Sequence, residues 1–141
     1  MTAQAVAEVL EALDELTRAF AERDAGALLD RCADDVTYVG SEDGERATGR
    51  SEVAALLGRV LGRPETYLFA WSPPLVGVHG DVAWILAQGD GAAQDDDPPA
   101  DPDATETFPY RLSAVLRRAG GGWHWVLIHG AEPTPPAGEA A

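Results

Sequence analysis

The chemistry this chain can carry concentrates in its last strand-like run, Trp123-His124-Trp125-Val126-Leu127-Ile128-His129. Alternate residues of a strand share a face, so His129 falls with Trp125 and Leu127. A neutral imidazole, with an ordinary pKa of about 6.5, can take and return a proton near neutrality. Among apolar neighbours it is either the polar handle of a pocket or a hydrogen-bonded core residue. The other two histidines do not join it: His79 precedes Gly80 in a hairpin turn, and His124 faces the other way on the same strand, so no metal site is expected. The adjacent acids Asp34 and Asp35 direct their side chains apart on an extended backbone and read as a helix end, not a catalytic pair. A Gly-rich phosphate loop, a nucleophile elbow and a His-Glu-x-x-His helix are missing, which removes the usual supports for nucleotide, serine-hydrolase and zinc-protease chemistry. No cofactor is expected.

Composition narrows the classes further. At 141 residues the chain is one domain, able to bury roughly 68–70% of its unfolded surface without disulfide or metal. Its lone cysteine, Cys32, sits among apolar neighbours in a helical stretch and reads as a small buried hydrophobe. The formal charge is −14, and all ten basic residues are arginine. That balance repels phosphate backbones and anionic bilayers, so neither nucleic acid nor a membrane is an expected partner. Residues 1–13 carry acids where a signal peptide has bases and hold no long apolar core, and the expected location is cytoplasmic. Seven acids and no base fall within residues 90–106, a Pro/Ala/Asp segment expected to be a mobile acidic loop. A calcium site there would need an EF-hand spacing that is missing. Residues 132–141 read as a disordered Pro/Ala tail, leaving a single domain over residues 1–131.

Several elements must position these groups. Val6, Val9, Leu10, Leu13, Leu16 and Phe20 follow the three-and-four spacing of one helix face. Asp24 can cap a second, short helix through Leu28 and Cys32. Residues 36–39 are β-branched and aromatic, and 40–49 form a turn-rich excursion. Ser51 can cap a third helix carrying Val53, Leu56, Leu57, Val60 and Leu61, which stops at Gly62-Arg63-Pro64. Strand-rich stretches follow at 66–78, where Pro73-Pro74 implies a bulge or bend, and at 81–88, 107–117 and 123–129. Helices followed by strands give an α+β fold, with helices on one face of a curved sheet.

Turn arithmetic assigns faces to the last hairpin. If residues 119–122 form a four-residue loop, Arg118 faces Trp123, Ala114 faces Leu127 and Leu112 faces His129. The inward set is then Tyr110, Leu112, Ala114, Leu116, Trp125, Leu127 and His129, and the outward set Arg111, Ser113, Val115, His124, Val126 and Ile128. A five-residue loop would instead bring Arg111 and Ser113 inward. The mixed, partly apolar outer face would be wasteful on an isolated monomer.

The order of elements, with Arg23-Asp24, Ala33-Asp34-Asp35-Val36-Thr37-Tyr38, Gly49-Arg50, Gly80-Asp81-Val82-Ala83-Trp84, Leu116-Arg117-Arg118 and Gly122-Trp123, resembles the SnoaL-like families of the nuclear-transport-factor-2-like superfamily over residues 5–131. The resemblance implies a cone-shaped domain, a strongly bent antiparallel sheet wrapped around three helices with a cavity open at one end, and, since such sheets commonly pair back to back, a homodimer through the outer sheet face. In that register Tyr38, Trp84, Leu86 and Gln88 point inward, covered by Leu16 and Phe20. The implied ligand-binding set is Leu16, Phe20, Tyr38, Trp84, Gln88, Tyr110, Leu112, Leu127 and His129. Glu42, Asp43 and Glu45 lie near the implied mouth. Laid beside ketosteroid isomerase, the chain has Leu16, Gly40 and Ala114 where that enzyme has its oxyanion tyrosine, base and protonated acid, and none of the three can exchange a proton. Beside the association domain of calmodulin-dependent kinase, His129 survives while Leu127, Ala131 and Ala114 replace polar groups.

Three functional readings follow. The first is a binding or accessory domain whose mostly apolar cavity holds a small, largely apolar molecule. The second is an isomerase, cyclase or dehydratase in which His129 acts as general acid/base while Tyr38 or Tyr110 polarises the substrate oxygen. The third is a pure dimerisation module.

Overall fold

A computed structural model describes residues 2–95 and 106–134. Helix α1 (Ala3–Glu22) buries Val9, Leu13, Leu16 and Phe20 on the face that the spacing of its apolar residues requires. The Thr2 hydroxyl accepts from the Ala5 amide at 3.1 Å and caps its start. Its end is Arg23, a non-glycine residue in the left-handed region at φ 56°. Helix α2 (Ala25–Asp30) is capped as expected by Asp24, whose carboxylate accepts from the Ala27 amide. Cys32 lies beyond it and opens β1 (Cys32–Val39), where burial pushes its thiol up to about 11. Strand β2 (Arg46–Thr48) falls inside the expected turn region, and α3 (Arg50–Leu61) follows. Gly49, not Ser51, is the N-cap of α3: its amide donates to the Val36 carbonyl, and Glu52 reaches back to the Thr48 amide.

Five strands complete the sheet: β3 (Glu65–Trp71), β4 (Leu75–His79), β5 (Val82–Asp95), β6 (Thr107–Ala119) and β7 (Gly122–Ala131). Their order is β2-β1-β7-β6-β5-β3, with β4 also paired to β5. β3 and β4 run along one edge of β5, interrupted at Ser72-Pro73-Pro74, which is the break the two prolines implied. The sheet is mixed where an antiparallel one was expected, because β1 pairs parallel to β7. The guanidinium of Arg23 donates to Thr66 Oγ1 at 2.9 Å and to the Pro64 carbonyl at 2.6 Å, tying the end of α1 to the start of β3. Asp90 to Asp95, expected in a mobile loop, are paired strand: β3 pairs with β5 along all six residues, and β6 flanks the other side as far as Ala92. The rest of the expected acidic loop, 96–105, and residues 135–141 of the expected tail lie outside the described residues.

The β6–β7 hairpin turns through Gly120-Gly121, both at positive φ, and Arg118 faces Trp123 as the turn arithmetic requires. Four residues on, the register slips. Leu116 pairs with Trp125 but Val115 pairs with Leu127, so Val126 is an extra residue in β7. A slip of one exchanges faces. Tyr110, Leu112, Ala114, Leu116 and Trp125 are buried as expected, but Ile128 and Gly130 take the inward places assigned to Leu127 and His129. Leu127 is half-buried on the outer face beside exposed His129.

The orientation of β5 is also the reverse of the expected one. Ala83, Ile85 and Ala87 are buried, while Trp84, Leu86 and Gln88 point outward. The hairpin through Gly80-Asp81 pairs His79 with Val82, and Trp84 then faces Gly77 on one side and Val115 on the other. The indole lies over Gly77, in the space a Cβ there would need.

The slip makes an ordering prediction for urea unfolding. Ile128→Ala should destabilise by about 2–5 kcal/mol, as a core truncation does, while His129→Ala stays within about 0.5 kcal/mol, as a surface change does. A larger loss at His129 than at Ile128 would contradict the slipped register.

Candidate functional site

A cavity of about 800 Å³ opens where the ends of α1 and α3 meet the far end of the β5–β6 hairpin. The sequence of β5 creates the room. Its inward positions continue Ala87, Gly89, Gly91 and Ala93, all small, opposite the aromatic residues of β3 and β6. A Cβ at Gly91 would enter the Phe108 ring, and one at Gly89 would collide with the Ala70 carbonyl. Gly130, brought inward by the slip in β7, makes the same room for the Tyr110 hydroxyl.

The wall is aromatic. Phe20 from α1, Tyr38 from β1, Tyr67 and Phe69 from β3, and Phe108 and Tyr110 from β6 all line it. Phe69 is the hub, meeting Phe20 edge-on at 5.6 Å, stacking on Trp71 at 5.4 Å and lying 4.9 Å from Tyr110. Such pairs add about 0.5–1.5 kcal/mol each beyond the area they bury. Trp71 Nε1 donates to Thr17 Oγ1 at 2.9 Å, which fixes this cluster to α1.

The mouth is charged. Glu42, Glu45, Glu65, Asp95, Glu106 and Glu132 line it with a single base, Arg63. Arg63 is held by three neighbours: Glu45 at 3.2 Å, Glu42 at 3.6 Å and the Tyr67 hydroxyl, to which it donates at 3.2 Å. Where a mostly apolar cavity was expected, the lining combines aromatic rings with charged groups. The acids come from five separate stretches of chain, so their meeting depends on the fold.

Of the nine residues expected to bind ligand, Phe20, Tyr38 and Tyr110 line the cavity. Leu16 and Leu112 are buried in the core without reaching it. Trp84, Gln88, Leu127 and His129 lie on the opposite face of the sheet, the last two for the register reason and the first two because β5 pairs with its even-numbered side chains outward. Glu42 and Glu45 line the mouth, whereas Asp43 does not. Sequence reasoning missed Arg63, Tyr67, Phe69 and Phe108; the alternation of Tyr67, Phe69 and Trp71 in β3 was the available signal. Among the described residues, no three His, Cys, Asp or Glu side chains are grouped to hold a metal ion.

Both cavity tyrosines are neutral hydrogen-bonding groups. Burial pushes the Tyr38 phenol far above its ordinary value, with Tyr110 and Glu45 acting in the same direction. Burial also raises Tyr110, to about 12, partly offset by a hydrogen bond with Ser41. A phenol whose folded pKa exceeds its unfolded value of 10.0 stabilises the fold fully below pH 10 and loses that contribution as pH rises through the folded value. Stability in urea should therefore decline above pH 10, with Cys32 adding to the same decline. Tyr38→Phe should make the decline shallower than in the parent; an equally steep decline would show that the Tyr38 phenol is not protected.

Comparison with known proteins agrees with this architecture. The model of the SnoaL-like domain matches residues 9–135. No curated protein matches the chain. Among solved structures, a candidate dehydratase of the nuclear-transport-factor-2-like family from Streptomyces avermitilis superposes with a TM-score of 0.79 at 21% identity, covering 92% of this chain and 97% of that one. A nuclear-transport-factor-2-like superfamily protein from Salmonella enterica serovar Typhimurium gives 0.80 at 17% identity over 100% and 99%. A ketosteroid isomerase-like protein from Erwinia carotovora gives 0.75 at 18% identity over 95% and 100%. These likenesses establish the cone-shaped α+β fold, and with the match over residues 9–135 the chain belongs to the SnoaL-like domain family.

Proposed function

We propose that this SnoaL-like domain binds a small molecule in the cavity between α1, α3 and the β5–β6 hairpin, without the proton-transfer chemistry of ketosteroid isomerase. The observation that carries the reading is the cavity itself: about 800 Å³ walled by six aromatic rings, inside the roughly 300–1,000 Å³ range of small-molecule sites. Flat rings at a fixed spacing favour a ring-bearing guest that stacks on or abuts them. Leu16, Gly40 and Ala114 bring no proton-exchanging group to it. The carboxylate best placed to act as a base, Glu45, is already engaged by Arg63 and by the Glu42 amide. His129, on the far side of the sheet, gives no support to the acid/base reading, and the dehydratase description belongs to the neighbour alone. In an NMR screen of small ring-bearing molecules, binders should perturb Tyr38, Phe69 and Tyr110 resonances. Perturbation confined to the outer face would overturn the reading.

The outer face supports a second proposal, that two copies pair through it. Leu75, Val82, Trp84 and Leu86 are exposed together on adjacent strands, at 70%, 43%, 49% and 37% of their full accessibility. A contiguous apolar patch of this kind is the usual mark of an interaction surface, and a stable pair covers about 800 Å² on each partner. The parent should sediment as a dimer and Trp84→Glu as a monomer. A monomeric parent would defeat the proposal.

A further inference from the structure

The cavity combines features that restrict what it can accept, and we infer that its ligand class is an organic monocation carrying an aromatic or apolar body, seated with its charge at the acidic mouth and its body among the rings. This inference rests on the reading that the cavity binds a small molecule.

Arg63 is the one base among the described residues that line the cavity. That guanidinium is satisfied by Glu42, Glu45 and the Tyr67 hydroxyl, so its charge is spent inside the wall and is not available to an anion. Glu65, Asp95 and Glu106 remain on the mouth with no basic partner among the described residues. In a chain of charge −14 the field at this opening is negative, and low-dielectric walls concentrate such a field. An anionic or phosphorylated guest is repelled there.

Acids alone would not make a site. Tyr38 also lines the cavity, at 6% exposure, and no described residue hydrogen-bonds its hydroxyl. That hydroxyl opens on the cavity, where a ligand can take the place of solvent. Held neutral by its surroundings, it can accept a hydrogen bond from an ammonium N–H. Aromatic faces attract cations as well, and Tyr38, Phe69 and Tyr110 stand together on this wall. A metal ion answers this arrangement poorly, because no three of the described acids are grouped to ligate one. The carboxylates ring the opening, as the diffuse charge of a bulky cation requires.

The test uses three matched probes by titration calorimetry on the full chain: phenethylammonium, its neutral counterpart phenethyl alcohol, and phenylacetate. Phenethylammonium should bind about tenfold more tightly than the alcohol at low ionic strength. That advantage should shrink at high salt. The double variant Glu65→Gln with Glu106→Gln, which removes two mouth charges while keeping side-chain size, should bring the ammonium to the level of the alcohol. Equal binding of ammonium and alcohol, or tighter binding of phenylacetate, overturns the cation inference while leaving the cavity as a small-molecule site. Binding of none of the three overturns the inference together with the reading on which it rests.

Discussion

A single additional residue in β7, Val126, governs which side chains this domain turns toward its helices. Between Trp125 and Leu127 the strand gains one residue relative to β6, and its pairing with β1 is irregular at the same point. Two tryptophans, Trp123 and Trp125, fill the core on one side of the slip, and Ile128 and Gly130 face inward on the other. Bulges bend and twist the strand that carries them. Here the irregularity coincides with the junction between the parallel and antiparallel parts of the sheet. The room around Tyr110 and the exclusion of His129 from the interior both depend on that displacement.

The cavity is a consequence of unequal side-chain size across paired strands. β3 and β6 contribute Tyr67, Phe69, Trp71, Phe108 and Tyr110, while the inward positions of β5 between them are glycine and alanine. Large residues on both sides of a small-residue strand cannot close over it completely, and the rings lean on one another instead. Protein interiors are otherwise packed as densely as organic crystals, so a space of this size is sustained by the strands that frame it. Its mouth is held by the ion pairs of Arg63 and by the clamp of Arg23 on Pro64 and Thr66.

Much of the architecture was legible from the residues. The face of α1, the Asp24 cap, the proline break between β3 and β4 and the Arg118–Trp123 pair follow from spacing and local stereochemistry. Two features were not. Val126 is of the same type as its regular neighbours, so nothing in its chemistry marks it as the extra residue. In β5, Val82, Trp84 and Leu86 alternate with Ala83, Ile85 and Ala87, apolar on both faces, and period-two reasoning then has no polar face to choose. The mouth was hidden for another reason: Glu45, Glu65, Glu106 and Glu132 are far apart along the chain and meet only once the sheet has curled. Local pattern carries the elements, whereas register and long-range pairing carry the site.

The indole lying across Gly77 gives the domain a built-in optical label. Of the four tryptophans, Trp123 and Trp125 are buried and Trp71 is half-buried with its N–H bonded to Thr17, leaving Trp84 as the one largely open to water. Quenching of its emission by a soluble collider therefore follows occupancy of the convex side of the sheet, while Trp71, stacked on Phe69, responds to events in the hollow on the other side. The two faces can be watched separately in one unlabelled sample.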